Sequence, residues 1–257
     1  MTHDSFTQAK TALLSLGGQR VWSLMVTLFG DLAHTSSGAI DGPQLSAIMA
    51  AMEVRPEAVR VALHRLRNDG WIVSEKHGRT RRHTLTPASL RETQQAGARI
   101  YARPQAKAGA WHLALLDPDT QPPADMLQRG FSLLMPRVYL GGAQARAPQN
   151  ALVLAGGEVP HWLRDQVAQT LPVAEYTALL PVLDRIEAEV PADALDPRDI
   201  TVLRCLLVHN WRRIVLRHAP LPPALLPENW VGQQCHHKVD TLLRRFPAPA
   251  TGGDLPD

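Results

Sequence analysis

The sequence predicts an α+β protein with three domains: an N-terminal winged helix, a middle ferredoxin-like domain and a C-terminal helical domain. Three patterns support this fold class. The first 87 residues have the pattern of three helices and a basic hairpin, the middle combines short apolar strands with helices, and the last third has helical periodicity interrupted by prolines. With 257 residues, 45% of them apolar, the chain can form more than one core.

Turn-forming residues set the domain boundaries. A glycine pair separates a flexible N-terminal arm from the winged helix, and a proline ends its hairpin. The expected segments are an arm at 1–19, a winged helix at 20–87, a connecting helix at 88–107, a middle domain at 108–172 and a helical domain at 173–257.

Three helices and two strands are expected in the winged helix. Apolar residues recur at helical spacing over Val21–Ala33 and again over Leu45–Met52. A third helix is expected over Arg55–Asp69 and is followed by Gly70, a common residue just past a helix end. Two strands, at 71–73 and 84–85, then flank a basic turn.

The third helix has the pattern of a recognition helix. On a helical wheel, Val59, Leu63 and Leu66 share the face expected to pack on the other two helices. The remaining face carries hydrogen-bond donors, and arginine can bond guanine bidentately in the major groove, which admits one α-helix. The residues expected to contact DNA from this helix are Arg55, Arg60, Val61, His64 and Arg65.

The hairpin turn is basic. Six cationic or titratable residues fall within eight positions, and such a hairpin can follow a phosphate backbone or enter a minor groove. The residues of this cluster assigned to DNA contact are Lys76, His77, Arg79, Arg81 and Arg82. His83 is the sixth member of the cluster and is not assigned to DNA contact.

The middle of the chain is expected to follow the order strand, helix, strand, strand, helix, which favours a ferredoxin-like domain. A long helix and a proline-interrupted helical stretch complete the chain. The expected strands are 111–116, 135–140 and 152–155, and the expected helices 122–129, 160–170, 173–190 and 197–246.

Charge is distributed unevenly, although the whole chain carries only +3. Residues 1–107 contain 14 Lys and Arg against 8 Asp and Glu, whereas residues 117–200 contain 6 against 12. A basic N-terminal part beside an acidic middle is typical of a DNA reader with a regulatory body. The two distant cysteines fit a reducing compartment, and no apolar stretch reaches bilayer length, so we expect a cytoplasmic protein without a membrane partner.

Three stretches together resemble the PaaX-type repressors, which control phenylacetic acid degradation. They are the first helix at 22–31, the recognition helix and its exit at 59–71, and the C-terminal motifs within 211–232. The resemblance implies the three domains above, with a middle domain similar to the Cas2 fold. It also implies a homodimeric repressor that binds double-stranded DNA and is released by an acyl-CoA, phenylacetyl-CoA in the type case.

An acyl-CoA effector needs cations for its phosphates and an apolar pocket for its acyl group. The segment around Trp211 supplies cations and an aromatic ring, and spacings of four place several of its side chains on one helix face. Ion pairs to the acidic middle of the chain are the alternative use of these cations. The candidate effector-binding residues are His209, Arg212, Arg213 and Arg217.

Other functions remain open at this point. Asp117 and Asp119 follow the first middle-domain strand, where a metal-dependent nuclease would place carboxylates, although they also fit an ordinary turn. A CoA-thioester hydrolase and a protein-binding winged helix are further alternatives. The Cys235–His237 run lacks the spacing of a zinc site, so we expect no bound metal. No other pattern indicates a catalytic residue or a cofactor, and we expect neither.

Overall fold

The structure is a computed structural model that describes residues 2–18, 20–104 and 109–249. It divides into two compact units. Unit 1 contains the described parts of Met1–Ala102, Pro181–Arg212 and Lys238–Asp257, and unit 2 contains those of Arg103–Leu180 and Arg213–His237. The last third of the chain therefore contributes to both units. Within the described ranges, no helix combines the length and the apolar character that a membrane crossing requires.

Unit 1 begins with four helices. They are α1 (Thr2–Ser15), α2 (Val21–Leu32), α3 (Gly42–Ala51) and α4 (Pro56–Asn68). The last three confirm the helices expected from periodicity. Residues 24–29 of α2 are all buried, because α2 packs against α4 and against a later helix, α5 (Pro87–Ile100). The side chain of Thr86 caps α5 by accepting a hydrogen bond from the Ser89 amide at 3.3 Å.

The prediction of a flexible arm at 1–19 is wrong for most of its length, because this segment contains α1. Phe6, Ala9 and Leu13 are buried at helical spacing. Asn210 from the last third of the chain also donates to the Leu13 carbonyl at 3.1 Å. Three apolar residues on one helix face are too short a pattern to predict a packed helix from the sequence.

A three-stranded antiparallel sheet completes the N-terminal part of unit 1. It comprises β1 (Ile40–Asp41), β2 (Ile72–His77) and β3 (Thr80–Leu85), in the order β1-β3-β2. The β2–β3 hairpin was expected, but β1 was not. A strand of two residues has no periodicity to recognise.

Parts of three helices of the last third also enter unit 1. They are α7 (Val173–Glu189) from Pro181, α8 (Pro197–Val215) up to Arg212 and α9 (Val231–Arg245) from Lys238. Arg204 of α8 makes two hydrogen bonds to the Asp31 carboxylate of α2, at 2.7 and 2.9 Å. Tyr101 also donates to Asp31, and burial, followed by this carboxylate, raises the pKa of the Tyr101 hydroxyl.

Unit 2 contains a four-stranded antiparallel sheet in the order β5-β6-β4-β7. Its helical parts are α6 (His161–Gln169), as expected, the start of α7, the last turn of α8 from Arg213 and the start of α9 up to His237. The strands are β4 (Trp111–Leu115), β5 (Phe131–Met135), β6 (Val138–Gly142) and β7 (Leu152–Ala155).

Two expectations for unit 2 are wrong. The helix expected at 122–129 is replaced by turns at 124–130, in which the Arg129 amide donates to the Asp125 carbonyl at 3.0 Å. Pro123 and Gly130 bound the segment, and a single turn is too short to form a stable helix. The single strand expected at 135–140 is two strands, β5 and β6. The turn between them includes Arg137, which has a positive φ of 65°, and it lies inside an apolar run that periodicity does not divide.

Candidate nucleic-acid interface

One face of α4 is buried and the other is exposed and basic. Val59, Ala62 and Leu66 are buried, and α4 packs through contacts with α2 and α3. Five side chains expected to contact DNA lie on the exposed surface: Arg55, Arg60, Val61, His64 and Arg65. Val61 is 70% exposed, so its side chain is accessible to an apolar group of a partner.

Two arginines of this face pair with carboxylates one turn away, in α4 or just past its end. Arg60 pairs with Glu57 at 2.9 Å, and Arg65 lies 3.5 Å from the Asp69 carboxylate. Such exposed pairs one turn apart are worth about 0.5 kcal/mol or less, so a phosphate or a base can replace them at little cost.

Trp22, which the sequence analysis did not assign to the site, lies beneath one of these arginines. The Arg65 guanidinium is 5.5 Å from the centre of the Trp22 ring, a cation–π distance. Trp22 in turn meets Trp71 edge to face, with ring centres 6.4 Å apart. The two tryptophans therefore join α2 and the start of the hairpin to a cation of α4. In the sequence, the available signal was a tryptophan near the start of α2 together with an arginine-rich α4.

The β2–β3 hairpin presents exposed cations at its tip. Lys76, His77, Arg79 and Arg81 are exposed, and Lys76 is directly opposite Arg81 across the strands. Within the described ranges, no ion pair joins any of these four to a carboxylate. Gly78 has a φ of 60°, which permits the tight turn.

Arg82 differs from its neighbours on the hairpin. Its Nε lies 3.1 Å from the Asp41 carboxylate of β1, and Glu75 is its cross-strand partner. Two acidic neighbours offset much of its charge. Arg82 is exposed, as expected, but its acidic neighbours leave it with less positive potential than Lys76 or Arg81.

His83, included in the basic cluster of the sequence, is buried and not part of the exposed surface. One of its ring nitrogens lies 2.7 Å from the Ser74 hydroxyl on β2. Burial lowers the pKa of His83 from its ordinary value of 6.5, and the positive charges of Arg67 and Arg81 lower it further. The alternation of a strand explains this, since His83 and Arg82 point to opposite faces of the sheet.

The four candidate effector residues do not form one cationic set. His209 is fully buried, with its Nδ1 3.0 Å from the Thr27 hydroxyl of α2, and Arg212 donates to the same hydroxyl at 2.7 Å. In unit 2, Arg217 pairs with Glu175 at 2.5 Å. This bond lowers the pKa of Glu175, with a smaller contribution from the charge of Arg213.

The residues of the nuclease and metal alternatives serve local structure. The Asp117 carboxylate accepts a hydrogen bond from the Asp119 amide at 2.8 Å, which closes a turn. The thiols of Cys205 and Cys235 are buried. In the part of the chain that the structure describes, no three His, Cys, Asp or Glu side chains are grouped as metal ligands would be.

Comparison with known proteins identifies relatives over most of the chain. Residues 20–88 match the family described as PaaX-like protein, and residues 169–252 match the PaaX-like protein C-terminal domain. The transcriptional repressor PaaX of Escherichia coli K12 is 28% identical to this chain over 274 aligned positions, covering 96% of this chain and 85% of the relative.

One solved structure is similar at a lower level. The uncharacterized protein Rv0674 from Mycobacterium tuberculosis aligns with 90% of this chain and 97% of its own, at 18% identity and a TM-score of 0.49. The two family matches include the α4 helix, the basic hairpin and the C-terminal helices α8 and α9, in the same order as in the family. The chain belongs to the PaaX family.

Proposed function

We propose that the protein is a DNA-binding transcriptional repressor that reads its operator through a winged helix formed by residues 20–87. The exposed basic face of α4, next to a hairpin whose tip carries four exposed cationic or titratable side chains, is the observation that carries this proposal. The name of the Escherichia coli relative, transcriptional repressor, supports it independently.

The two basic elements have different roles in this mechanism. Lys76, Arg79 and Arg81 bind phosphates and provide affinity that is independent of sequence. Arg60 and Arg65 reach base edges in the major groove, where an arginine can hold a guanine with two hydrogen bonds. Val61 provides an apolar contact of the kind that a thymine methyl group accepts.

Family membership supports a proposal for the regulated genes and the effector. We propose that the operon encodes aromatic-acid catabolism of the phenylacetate type, and that an acyl-CoA releases the repressor. A homodimer would place two winged helices on a palindromic operator. The effector must bind the two conformational states with different affinity, since only that difference shifts their populations.

The remaining domain assignments are part of the same proposal. The sheet of unit 2 has its first strand, β4, between its third and fourth strands, an arrangement that supports a ferredoxin-like domain. The helix expected between the first two strands is replaced by turns, and α6 follows the last strand. The helices of the last third divide between the two units, so the assignment of a C-terminal domain is supported by the family match over residues 169–252 and not by a separate compact unit.

A gel-shift titration tests the function. The DNA probe is the duplex upstream of the chain's own gene, with a scrambled duplex of equal length as control, at several salt concentrations. A repressor retards the intact upstream duplex more strongly, with or without Mg²⁺, and phenylacetyl-CoA releases it. Loss of DNA only in the presence of Mg²⁺ would indicate a nuclease instead. Equal retardation of both duplexes would contradict operator recognition.

A further inference from the structure

Unit 1 contains a cavity of about 170 Å³ between α2, α5 and α8. Much of its wall is apolar, with Val26 from α2, Ile100 from α5 and Val208 from α8, and Trp71 adds an indole from the start of the hairpin. An apolar protein cavity of roughly 150 Å³ holds benzene. This cavity is therefore large enough for one aromatic ring.

Two glycines keep the cavity open. Gly30 of α2 and Gly97 of α5 both line it. An added Cβ would lie 3.5 Å from the Thr93 methyl at Gly30, and 3.7 Å from the Tyr101 ring at Gly97, which are ordinary contact distances. Neither glycine has a positive φ. A glycine inside a helix costs about 1 kcal/mol relative to alanine, so these two carry a cost that neither backbone geometry nor close packing requires.

The partly buried charge in the wall is positive. Arg212 donates to the Thr27 hydroxyl at 2.7 Å and to the Ser23 hydroxyl at 2.8 Å, so its guanidinium is held against α2. The acidic side chain of the wall, Glu92, is exposed on α5. This arrangement favours a ligand with an oxygen atom that accepts from the guanidinium, a carboxylate more strongly than the neutral carbonyl of a thioester.

We propose that this cavity binds one aromatic ring bearing a carboxylate or a thioester carbonyl close to the ring. The ring lies between α2 and α5, and the oxygen lies toward Arg212. A free arylcarboxylate and the acyl end of an arylacyl-CoA share this chemistry. The regulatory role of the site rests on the proposed function. Of the four effector residues expected from sequence, Arg212 lines the cavity, and His209 contacts Thr27 of the cavity wall.

The position of Trp71 connects the cavity to the DNA-reading surface. Trp71 lines the cavity, its ring meets Trp22, and Trp22 carries the Arg65 guanidinium. A ligand in the cavity would contact Trp71, so a shift of this indole on binding would reach the arginine on α4 through Trp22. Ligand binding and the placement of Arg65 are thereby coupled through three side chains in contact.

Calorimetric titration of the full chain, without DNA, tests the site with four probes: phenylacetate, phenylacetyl-CoA, CoA and 2-phenylethylamine. We expect phenylacetyl-CoA, or both phenylacetate and phenylacetyl-CoA, to bind at least about tenfold more tightly than CoA and the amine. Binding of phenylacetate identifies the free acid as a ligand, and binding of the thioester alone identifies the acyl group of a CoA ester. Equal affinity for all four probes, or none for either aryl acid derivative, overturns the proposal.

A matched pair of variants on α5 locates the ligand. Ala96 lines the cavity, whereas Ala98, two residues further on, is exposed. Ala96→Leu should weaken binding of the aryl probe by about tenfold or more, and Ala98→Leu by less than about twofold. Equal effects of the two substitutions overturn the assignment.

A third variant separates loss of the site from loss of the fold. Gly30→Ala should raise the melting temperature, because alanine favours the helix, and still weaken binding several-fold by narrowing the cavity. Unchanged binding in this stabilised variant counts against the site. If the wild type binds the aryl probe but retards no DNA, the repressor proposal fails and the cavity assignment stands. If it retards DNA but binds no aryl probe, the reverse holds.

Discussion

Lys76 and Arg81 are directly opposite each other across the β2–β3 hairpin, so two positive side chains are cross-strand partners. Like charges in this position destabilise a hairpin, whereas opposite charges contribute about 0.2–1 kcal/mol. Both side chains are exposed. A pair that weakens the free protein but remains in its sequence is consistent with a role in binding phosphate.

Lys76→Glu should therefore separate stability from DNA binding. The new carboxylate would pair with Arg81 and raise the free energy of unfolding by up to about 1 kcal/mol. The same change should weaken binding to specific and scrambled duplexes alike, because a phosphate contact carries no sequence information. Urea unfolding and fluorescence anisotropy measure the two effects. Lys76→Gln is the control that removes the charge, and both its stability and its DNA affinity should lie between those of the wild type and Lys76→Glu. Tighter DNA binding by Lys76→Glu would contradict a phosphate contact.

Arg81 and Arg82 are adjacent in sequence but should differ in their effect on DNA affinity. Arg82 pairs with Asp41 at 3.1 Å and has Glu75 opposite, whereas Arg81 has Lys76 opposite. Arg81→Ala should lower DNA affinity more than Arg82→Ala. It should also reduce the slope of log affinity against log salt by about one. Measurements at four or more salt concentrations give both quantities, and equal slopes for the two variants would refute the distinction.

Arg60→Ala should change which sequence is preferred. An arginine bonded to a guanine contributes about 1–3 kcal/mol of discrimination at that base pair. The variant should thus lose affinity for the operator but keep its affinity for a scrambled duplex, in contrast to Arg81→Ala. Competition binding against operators substituted at single base pairs measures the difference. Equal losses on operator and scrambled duplex would reassign Arg60 to a phosphate.

The sequence predicted the elements of unit 1 well where local patterns and burial agree. In α4, Val59 and Leu66 of the expected face are buried and Leu63 is half-buried, while the neighbouring Ala62 completes the buried face. Long-range pairing was not predictable, since β1 exists only because residues 40–41 meet 82–83. The turns at 124–130 likewise replace a helix that composition alone favoured.

The exposed cations of the candidate interface were predictable because solvent exposure of arginine is the ordinary outcome. The partners of those cations were not. Asp41 meets Arg82 across 41 residues of sequence, and Trp22 reaches Arg65 across 43. The surroundings of the candidate effector residues were not predictable either, because helical spacing alone does not show what each helix face contacts, and His209 faces the interior of unit 1.

The lowered pKa of His83 predicts a loss of stability in mild acid. The neutral ring is the form that the native state holds, and the unfolded chain binds a proton with a pKa near 6.5. Stability from this group is thus complete above pH 6.5 and is lost as pH falls toward the lower native pKa, because the unfolded state binds more protons in that interval. Urea unfolding from pH 7.5 to 5 should show a shallower decline in His83→Gln than in the wild type. Parallel declines would exclude His83 as the source.

The buried pair of Asp31 and Arg204 should be far more sensitive to loss of one partner than to loss of both. Their side chains are 2% and 10% exposed, so a single substitution leaves a buried charge without its counter-charge. Asp31→Asn should lower the free energy of unfolding by about 3–5 kcal/mol. The double variant Asp31→Leu with Arg204→Met replaces both charges with apolar groups of similar size and should be less destabilised than the sum of its single variants. Urea unfolding of the four proteins gives the coupling free energy. Because Tyr101 also donates to Asp31, all four proteins should carry Tyr101→Phe, so that no hydroxyl is left without its acceptor and the cycle compares only the pair. Additive single effects would show that the pair does not act as a unit in joining α2 to α8.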